Sequence, residues 1–490
     1  MGAIKKLKSQ VLSKNLNLPA RASLFFTASN LVAKGAAFLL TPLFTRILSP
    51  TEYGEYSLFG SYLTISIVIV SLELPGGVIM RAFQKKKELG NLTLISAFLL
   101  CAPLSLPTTL TLLSLKSGGG MAFPFAYLFL FVSLISLTVI NLYVSKCKFL
   151  YKWIPYLIIS VIQSVAAPVI SILLISLNYF GELGHVSTKI GTVSAILFSL
   201  AFVLTAITIK KAVEEVKASS MSHREIWEHV RSSVKFLLKL SLPLLPYYFA
   251  VMLISQSDKM LISRFLGKGE LGKYSVAYSA GIALTAITGG IMSSLSPWLM
   301  RKARAGDFEK IKETLNTVVS LSVVFIVLFL SVAPDVFTFL APMEYSSALS
   351  VMFIISLIPI PLSLSQCASS IAIAEERVRG ILLSGIIPAL TVFAFGILLI
   401  PRGNLYLPAI ITASGYFILM ALGIRNVKLI TGKYMINVNK TFQKLVFLIF
   451  FSALIYTLKD YMALRFAIIS IFSLLLLYML KETAELLKEK

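Results

Sequence analysis

Charge is scarce in this chain of 490 residues: only 14% are Asp, Glu, Lys or Arg, against about 25% in an average globular protein. With 57% hydrophobic residues and a mean hydropathy of +0.86, that scarcity excludes a soluble enzyme and a nucleic-acid-binding domain. Cysteine is equally rare. Cys101, Cys147 and Cys367 fall in or beside separate apolar segments and form no Cys-x-x-Cys pair, so no disulfide framework or thiolate metal site follows. His185, His223 and His229 lie between apolar runs in no ligand spacing. Neither a metal nor a cofactor is expected. Residues 1–21 are basic and polar, without the apolar core or cleavage site of a signal peptide.

What the chain has in abundance is apolar runs of about 20 residues, each long enough to cross a hydrocarbon core. Fourteen candidate helices emerge, at 22–46, 56–80, 91–115, 122–145, 156–178, 190–210 and 240–265 in the first set. The second set is 274–298, 314–340, 347–373, 380–400, 407–424, 442–460 and 463–480. None shows the short alternation of a membrane β-strand. The expected fold class is therefore an all-α polytopic membrane protein. The formal net charge of +23 finds its explanation in topology. Of 45 Lys and Arg, 34 fall in the N-terminus, the C-terminal tail and the loops on their side; nine fall in the opposite loops. Lys34 and Lys259 lie within helices. By the positive-inside rule both termini are cytoplasmic, in a cell (plasma) membrane protein that needs no nucleic-acid partner. The same basic loops can also meet anionic lipid head groups.

The longest polar stretch, 211–239, reads as an amphipathic cytoplasmic connector. It separates an N-terminal six-helix bundle, 22–210, from a C-terminal one, 240–424, leaving 425–490 as a cytoplasmic loop, two last helices and a tail. The halves carry an internal repeat. RILSPTEYGEYSL (46–58) and RFLGKGELGKYSV (264–276) coincide at six of thirteen positions with an offset of 218. An even number of helices separates the copies, so the halves share one orientation: a parallel repeat, the two-bundle pattern of transporters. The glycines Gly54 and Gly272 are expected to allow a tight turn, and Tyr56 and Tyr274 to anchor at the membrane interface. GKGELGK (267–273) nearly spells a phosphate loop, but lacks the final Ser or Thr and follows a membrane helix instead of a strand.

Charges inside apolar spans carry the strongest functional expectation, because each costs about 2.5–3.5 kcal/mol at mid-helix even on the milder insertion scale. Four stand out: Lys34, Glu73, Asp258 and Lys259. Lys34 shares a helical face with Thr27, Asn30 and Thr41. It either pairs with Glu73 or attracts an anionic substrate into a cavity. Asp258 and Lys259 are neighbours that point in different directions, Asp258 towards Ser255 and Lys259 towards Gln256. Asp258, like Glu73, is a candidate for ion coupling, or else the partner of a cavity cation. Arg46 and Arg264 either end their helices or meet an anionic head group at the mouth of a central path, since a guanidinium matches phosphate in a bidentate way. The substrate-cavity candidates are thus Lys34, Asn30, Arg46, Lys259 and Arg264.

Two stretches carry a family resemblance. LFFTASNLVAKGAAFLLTPLFTRILSPTEYGEYSLFGSYLTI (24–65) resembles the first two helices of the polysaccharide transporter (O-antigen flippase) family. SDKMLISRFLGKGELGKYSVAYS (257–279) is similar to its seventh-helix signature. This family belongs to the multidrug/oligosaccharidyl-lipid/polysaccharide (MOP) exporter superfamily. The resemblance implies a V-shaped pair of six-helix bundles around a cationic cavity, as in the MATE-like fold. It also implies movement of a polyprenyl-diphosphate-linked oligosaccharide from the inner to the outer leaflet for polysaccharide biosynthesis. Its partners would be that glycan, membrane lipids, and a glycan polymerase or glycosyltransferases. Two alternatives have the same fold: a cation-coupled multidrug antiporter, which would need acidic cavity residues, and a lipid II flippase. The lipid II flippases also have fourteen helices, but their closely spaced N-terminal arginines have no clear copy here.

The charge count makes a direct prediction. Cysteines placed at Lys86 and Lys433 are expected to be shielded from membrane-impermeant thiol reagents in intact cells, while one at Lys268 labels. Labelling at Lys86 from outside would reverse the topology.

Overall fold

The computed structural model describes residues 26, 29, 35–36, 38–76, 78–85, 89–114, 121, 123, 125–178, 184–375 and 379–488. Every regular element among them is helical. The first are α1 (Phe38–Ile47), α2 (Pro50–Ser71), α3 (Val78–Lys85), α4 (Gly90–Cys101), α5 (Ser105–Ser114) and α6 (Ala126–Phe149). A π-turn at Ile162–Ala166 joins α7 (Trp153–Val161) to α8 (Ala167–Ser176), followed by α9 (Gly184–Ala218) and α10 (His223–Ser241). The rest are α11 (Leu245–Phe265), α12 (Lys268–Ile282), α13 (Thr285–Arg304), α14 (Phe308–Leu340), α15 (Leu349–Ile355) and α16 (Pro359–Ala374). The chain finishes with α17 (Arg379–Leu399), α18 (Tyr406–Thr431), α19 (Val438–Thr457) and α20 (Met462–Lys488).

Among the described residues nine helices are long and apolar enough to cross a membrane, or eleven if two bent pairs each count as one span. The protein is a multi-pass, all-helical membrane protein. The expected figure of fourteen is not reached by length and composition alone, for a physical reason. About half of the first expected helix, 22–46, lies outside the described residues. The segments α2 and α12–α13 are rich in Ser, Thr, Gly and Tyr, which lowers their mean hydropathy.

Contacts gather the chain into two compact units, the first comprising residues up to Leu40 with Ser66–Leu245, the second Thr41–Ile65 with Pro246–Lys490. In the first, α6 packs along α9, and α4 lies against α9 and α10. Its core holds Leu72, Leu74, Ile79, Leu94, Phe98, Ile140, Leu142 and Leu237. The carboxylate of Glu215, near the end of α9, accepts hydrogen bonds from the backbone N–H groups of Asn91 (2.9 Å) and Leu92 (3.2 Å). It thereby caps α4 from outside, where four N–H groups lack intrahelical partners. The second expected helix breaks where Glu73 stands. Leu72 and Glu73 adopt left-handed φ values of 50° and 51°, and a 3-10 turn, Leu74–Gly76, follows. Pro75 has no N–H for the Ser71 carbonyl four residues earlier and its ring crowds that oxygen, so α2 does not continue past Ser71. Glu73 is therefore a half-buried turn residue, not a mid-helix charge.

In the second unit α16, α17 and α18 pack together, while α14 carries α19 and α20. Asp307 caps α14 through Lys310 N, and the Lys302 ammonium bonded to it holds its carboxyl below the usual carboxylate range. Residues 41–65 join this unit through specific bonds. Thr45 Oγ1 donates to Leu340 O at 2.7 Å, and Tyr345 Oη donates to Leu48 O at 3.3 Å. Arg465 of α20 is buried. Its guanidinium clasps Asp335 of α14 with two bonds of 2.6 and 3.1 Å and also reaches Ser331 O.

Breaking a buried ion pair from one side leaves an uncompensated charge, at about 3–5 kcal/mol when both partners are fully buried. Because Asp335 is partly exposed, Asp335→Leu is expected to cost about 2–3 kcal/mol and to lower the melting temperature in detergent. Pairing Asp335→Leu with Arg465→Met restores most of it. Equal melting temperatures for all three proteins would show that the pair does not hold α20 in place.

Candidate functional site

The repeat seen in the sequence folds onto itself. α2 and α12 begin at corresponding positions, Pro50 and Lys268, which differ by the same 218 residues as the two sequence copies. Their backbones touch: a Cβ built on Gly54 would lie 1.8 Å from Lys268 O, and one built on Gly272 would lie 1.8 Å from Pro50 O. The two contacts are copies of each other in the repeat register. Only residues without a side chain permit this approach, in which Cα–H groups face carbonyl oxygens. Gly54 and Gly272 therefore serve a helix crossing, not the tight turn expected of them, and GKGELGK owes its glycine at 272 to packing instead of phosphate. One turn further, Ser57 Oγ and Ser275 Oγ, again 218 residues apart, are 2.6 Å apart. Lys268 Nζ reaches Glu55 Oε1 at 2.7 Å across the same crossing.

Beyond the crossing the helices leave a cavity of about 210 Å³. Tyr53, Tyr56, Ser57, Gly60, Ser61 and Thr64 of α2 line it, facing Gln256 and Lys259 of α11 and Ser275 and Ser279 of α12. Hydroxyls dominate the wall. Its formal charge among these residues is the single ammonium of Lys259. That group stands over the Tyr278 ring, 4.3 Å from the centroid, and donates to Gln256 Oε1 at 3.2 Å. A ring face attracts a cation electrostatically, so the ammonium is held without a carboxylate partner in the wall.

Asp258 points the other way, as expected of a neighbour on a helix. It is fully buried. Oδ2 accepts hydrogen bonds from Tyr274 Oη (2.5 Å) and Thr412 Oγ1 (2.9 Å), and Oδ1 accepts one from Lys259 N (2.7 Å). This joins α11 to α12 and α18. Tyr274 is thus a buried donor to Asp258 instead of an interface anchor, while Tyr56 lines the cavity.

The other expected residues lie elsewhere. Lys34 and Asn30 fall outside the described residues, so the Lys34–Glu73 pairing has no geometry here. Arg46 is exposed and donates to Pro42 O and Phe339 O at 2.9 and 3.2 Å. Arg264 is exposed beside the Phe265 ring, and neither arginine lines the cavity. Sequence reasoning missed the serines, although the repeat register could have found them: 57 pairs with 275 and 61 with 279. It also missed Lys189, expected in a loop but only 2% exposed inside α9.

Residues 20–302 match the model of a family described as polysaccharide biosynthesis protein. The chain belongs to that family. A curated relative, an uncharacterized membrane protein of Haemophilus influenzae, is 22% identical over 294 residues, 58% of this chain and 66% of its own length. Among solved structures, the lipid II flippase MurJ in an inward closed conformation is similar with a TM-score of 0.63 and 14% identity. That match covers 94% of this chain and 99% of MurJ. An inward-facing multidrug resistance MATE family transporter of the MOP superfamily is similar with a TM-score of 0.57 and 13% identity, over 84% of this chain and 98% of its own. The family member described here thus has the fold shared by MurJ and the MATE transporters.

The crossing sets a sharp requirement. Gly54→Ala and Gly272→Ala are each expected to destabilise the protein by at least the ~1–3 kcal/mol of ordinary overpacking, because the obstacle is backbone. Gly60→Ala, with open space around its Cβ position, is expected to leave the melting temperature unchanged. If Gly54→Ala melts like the parent protein, the two helices do not touch in the membrane.

Proposed function

We propose that this family member is a flippase that moves a polyprenyl-diphosphate-linked oligosaccharide from the inner to the outer leaflet by alternating access. The observation that carries the reading is the hydroxyl-rich cavity in which Lys259 supplies the charge. A diphosphate needs a cation to leave water, and an oligosaccharide needs hydrogen-bonding groups on every side. Ser, Thr, Tyr and Gln side chains meet the second need, and an ammonium held by a ring face and an amide remains free to meet the first. The family description, polysaccharide biosynthesis protein, supports the same class of substrate.

A multidrug antiporter with cationic substrates fits this wall poorly. The lining residues include no carboxylate, and Asp258 is turned away onto three donors. A lipid II-like substrate would present the same diphosphate to Lys259 and differ only in its glycan.

Alternating access assigns the crossing a role. Apart from Tyr53, the cavity residues of α2 and α12 follow Gly54 and Gly272 along both helices, so the crossing is proposed to close the cavity towards the lysine-poor face, the outer one by the positive-inside rule. Backbones in contact leave no passage, and a glycan leaves only when they part. Lys34 and Asn30 are proposed as further cavity contacts, with Arg46 and Arg264 at the mouth. Asp258, which ties three helices together, is proposed as the coupling group in this unit, and Glu73 in the other; both termini are proposed to be cytoplasmic, in a plasma-membrane protein.

Two variants test this. A Ser57→Cys/Ser275→Cys protein is expected to form a disulfide that stops leaflet-resolved transport of a lipid-diphosphate-sugar in proteoliposomes, with recovery on reduction. Lys259→Gln is expected to fold normally yet lose at least ten-fold in transport, about 1.4 kcal/mol of substrate interaction. Undiminished transport by the oxidised double-cysteine protein would remove the crossing from the cycle, and undiminished transport by Lys259→Gln would remove the cavity cation.

A further inference from the structure

α9 is 35 residues long, roughly 52 Å at 1.5 Å per residue, well beyond a hydrocarbon core of about 30 Å. Its last turns therefore leave the membrane, and Lys210, Lys211 and Lys217 there are exposed. Ser222 then starts α10 with a capping box closed by Glu225. α10 has two unlike faces. Ser233, Leu237 and Ser241 are buried against α4 and α3, and Leu237 belongs to the apolar core of its unit. Phe236, Leu238 and Leu240 pack on the same core, so the C-terminal half of the helix enters apolar surroundings. The opposite side carries Arg224, Arg231, Lys235 and Lys239, spaced by seven, four and four residues, all exposed. Such spacing keeps them on one stripe. Between stripe and buried face stands Trp227, 67% exposed.

The local carboxylates do not neutralise this stripe. Glu215 is committed to the N-terminus of α4, Glu225 to the capping box, and Glu228 to Arg224. Among the described residues no carboxylate pairs with Arg231, Lys235 or Lys239. An exposed indole beside three such cations, on a helix that runs from a polar rim into an apolar core, matches the head-group layer of a bilayer. Indoles favour that depth, and basic stripes gather anionic lipids there.

We propose that the outer face of α10, with Trp227, Arg231, Lys235 and Lys239, binds anionic phospholipid head groups of the lysine-rich leaflet. The inference rests on the chain crossing a membrane and is independent of what the cavity carries.

The test uses the full chain with Trp153→Phe and Trp298→Phe, leaving Trp227 as the reporter. It is reconstituted in vesicles of phosphatidylcholine and phosphatidylglycerol in which either lipid, at the same mole fraction, carries brominated acyl chains. Brominated phosphatidylglycerol is expected to quench Trp227 several-fold more strongly than brominated phosphatidylcholine. That preference should shrink at high salt and vanish in Arg231→Gln/Lys235→Gln/Lys239→Gln, which alters only exposed residues. Equal quenching by the two lipids, quenching only by aqueous iodide, or an unchanged preference in the triple variant would each overturn the proposal.

Discussion

Two glycines set 218 residues apart bring two helix backbones into contact, and much of the second unit's functional geometry is arranged around that contact. With Cβ positions only 1.8 Å from the opposing carbonyls, no other residue type satisfies the crossing of α2 and α12. The crossing fixes α12, and α12 presents Tyr274 to Asp258 and Tyr278 to Lys259. It also borders the cavity, because hydroxyl-bearing residues further along both helices line it. A single packing constraint thus sets the cavity wall and the orientation of its cation.

Three of the inward-turned charges among the described residues are handled alike. Asp258 is surrounded by donors from its own and two neighbouring helices; Arg465 is clasped by Asp335; Glu215 is used as a helix cap. Each such charge has its compensation built into the helices around it. Lys259 differs: it is held by a ring face and an amide, with no carboxylate among the residues that share its cavity. An apolar environment makes such a group expensive, which is why intramembrane cations usually mark a site. That contrast, more than any one distance, directs the functional reading to an anionic head group.

Outside the cavity, the same economy of polar groups separates the faces of α10. Carboxylates near it are occupied in capping and in one surface pair, which leaves its basic stripe facing outwards beside Trp227. The helix buries one face against α4 and α3, and its position after the over-long α9 leaves the basic face turned outwards.

Membrane insertion, the helical class, the internal repeat and the divergence of Asp258 from Lys259 were all legible in the sequence, because each follows from local composition or from helical periodicity. The family was legible in two stretches through their resemblance to its first two helices and its seventh-helix signature. What the glycines were for was not legible. A glycine at a helix start reads equally as a turn or as a close approach, and only the position of the opposing backbone decides between them. Nor could the chain alone reveal that Arg465 meets Asp335 across 130 residues, that Lys189 is buried, or that Glu73 sits in a left-handed break. Hydropathy and periodicity are properties of one helix at a time. A cavity, an ion pair between distant helices and a backbone crossing belong to several helices together, so only the tertiary structure decided them.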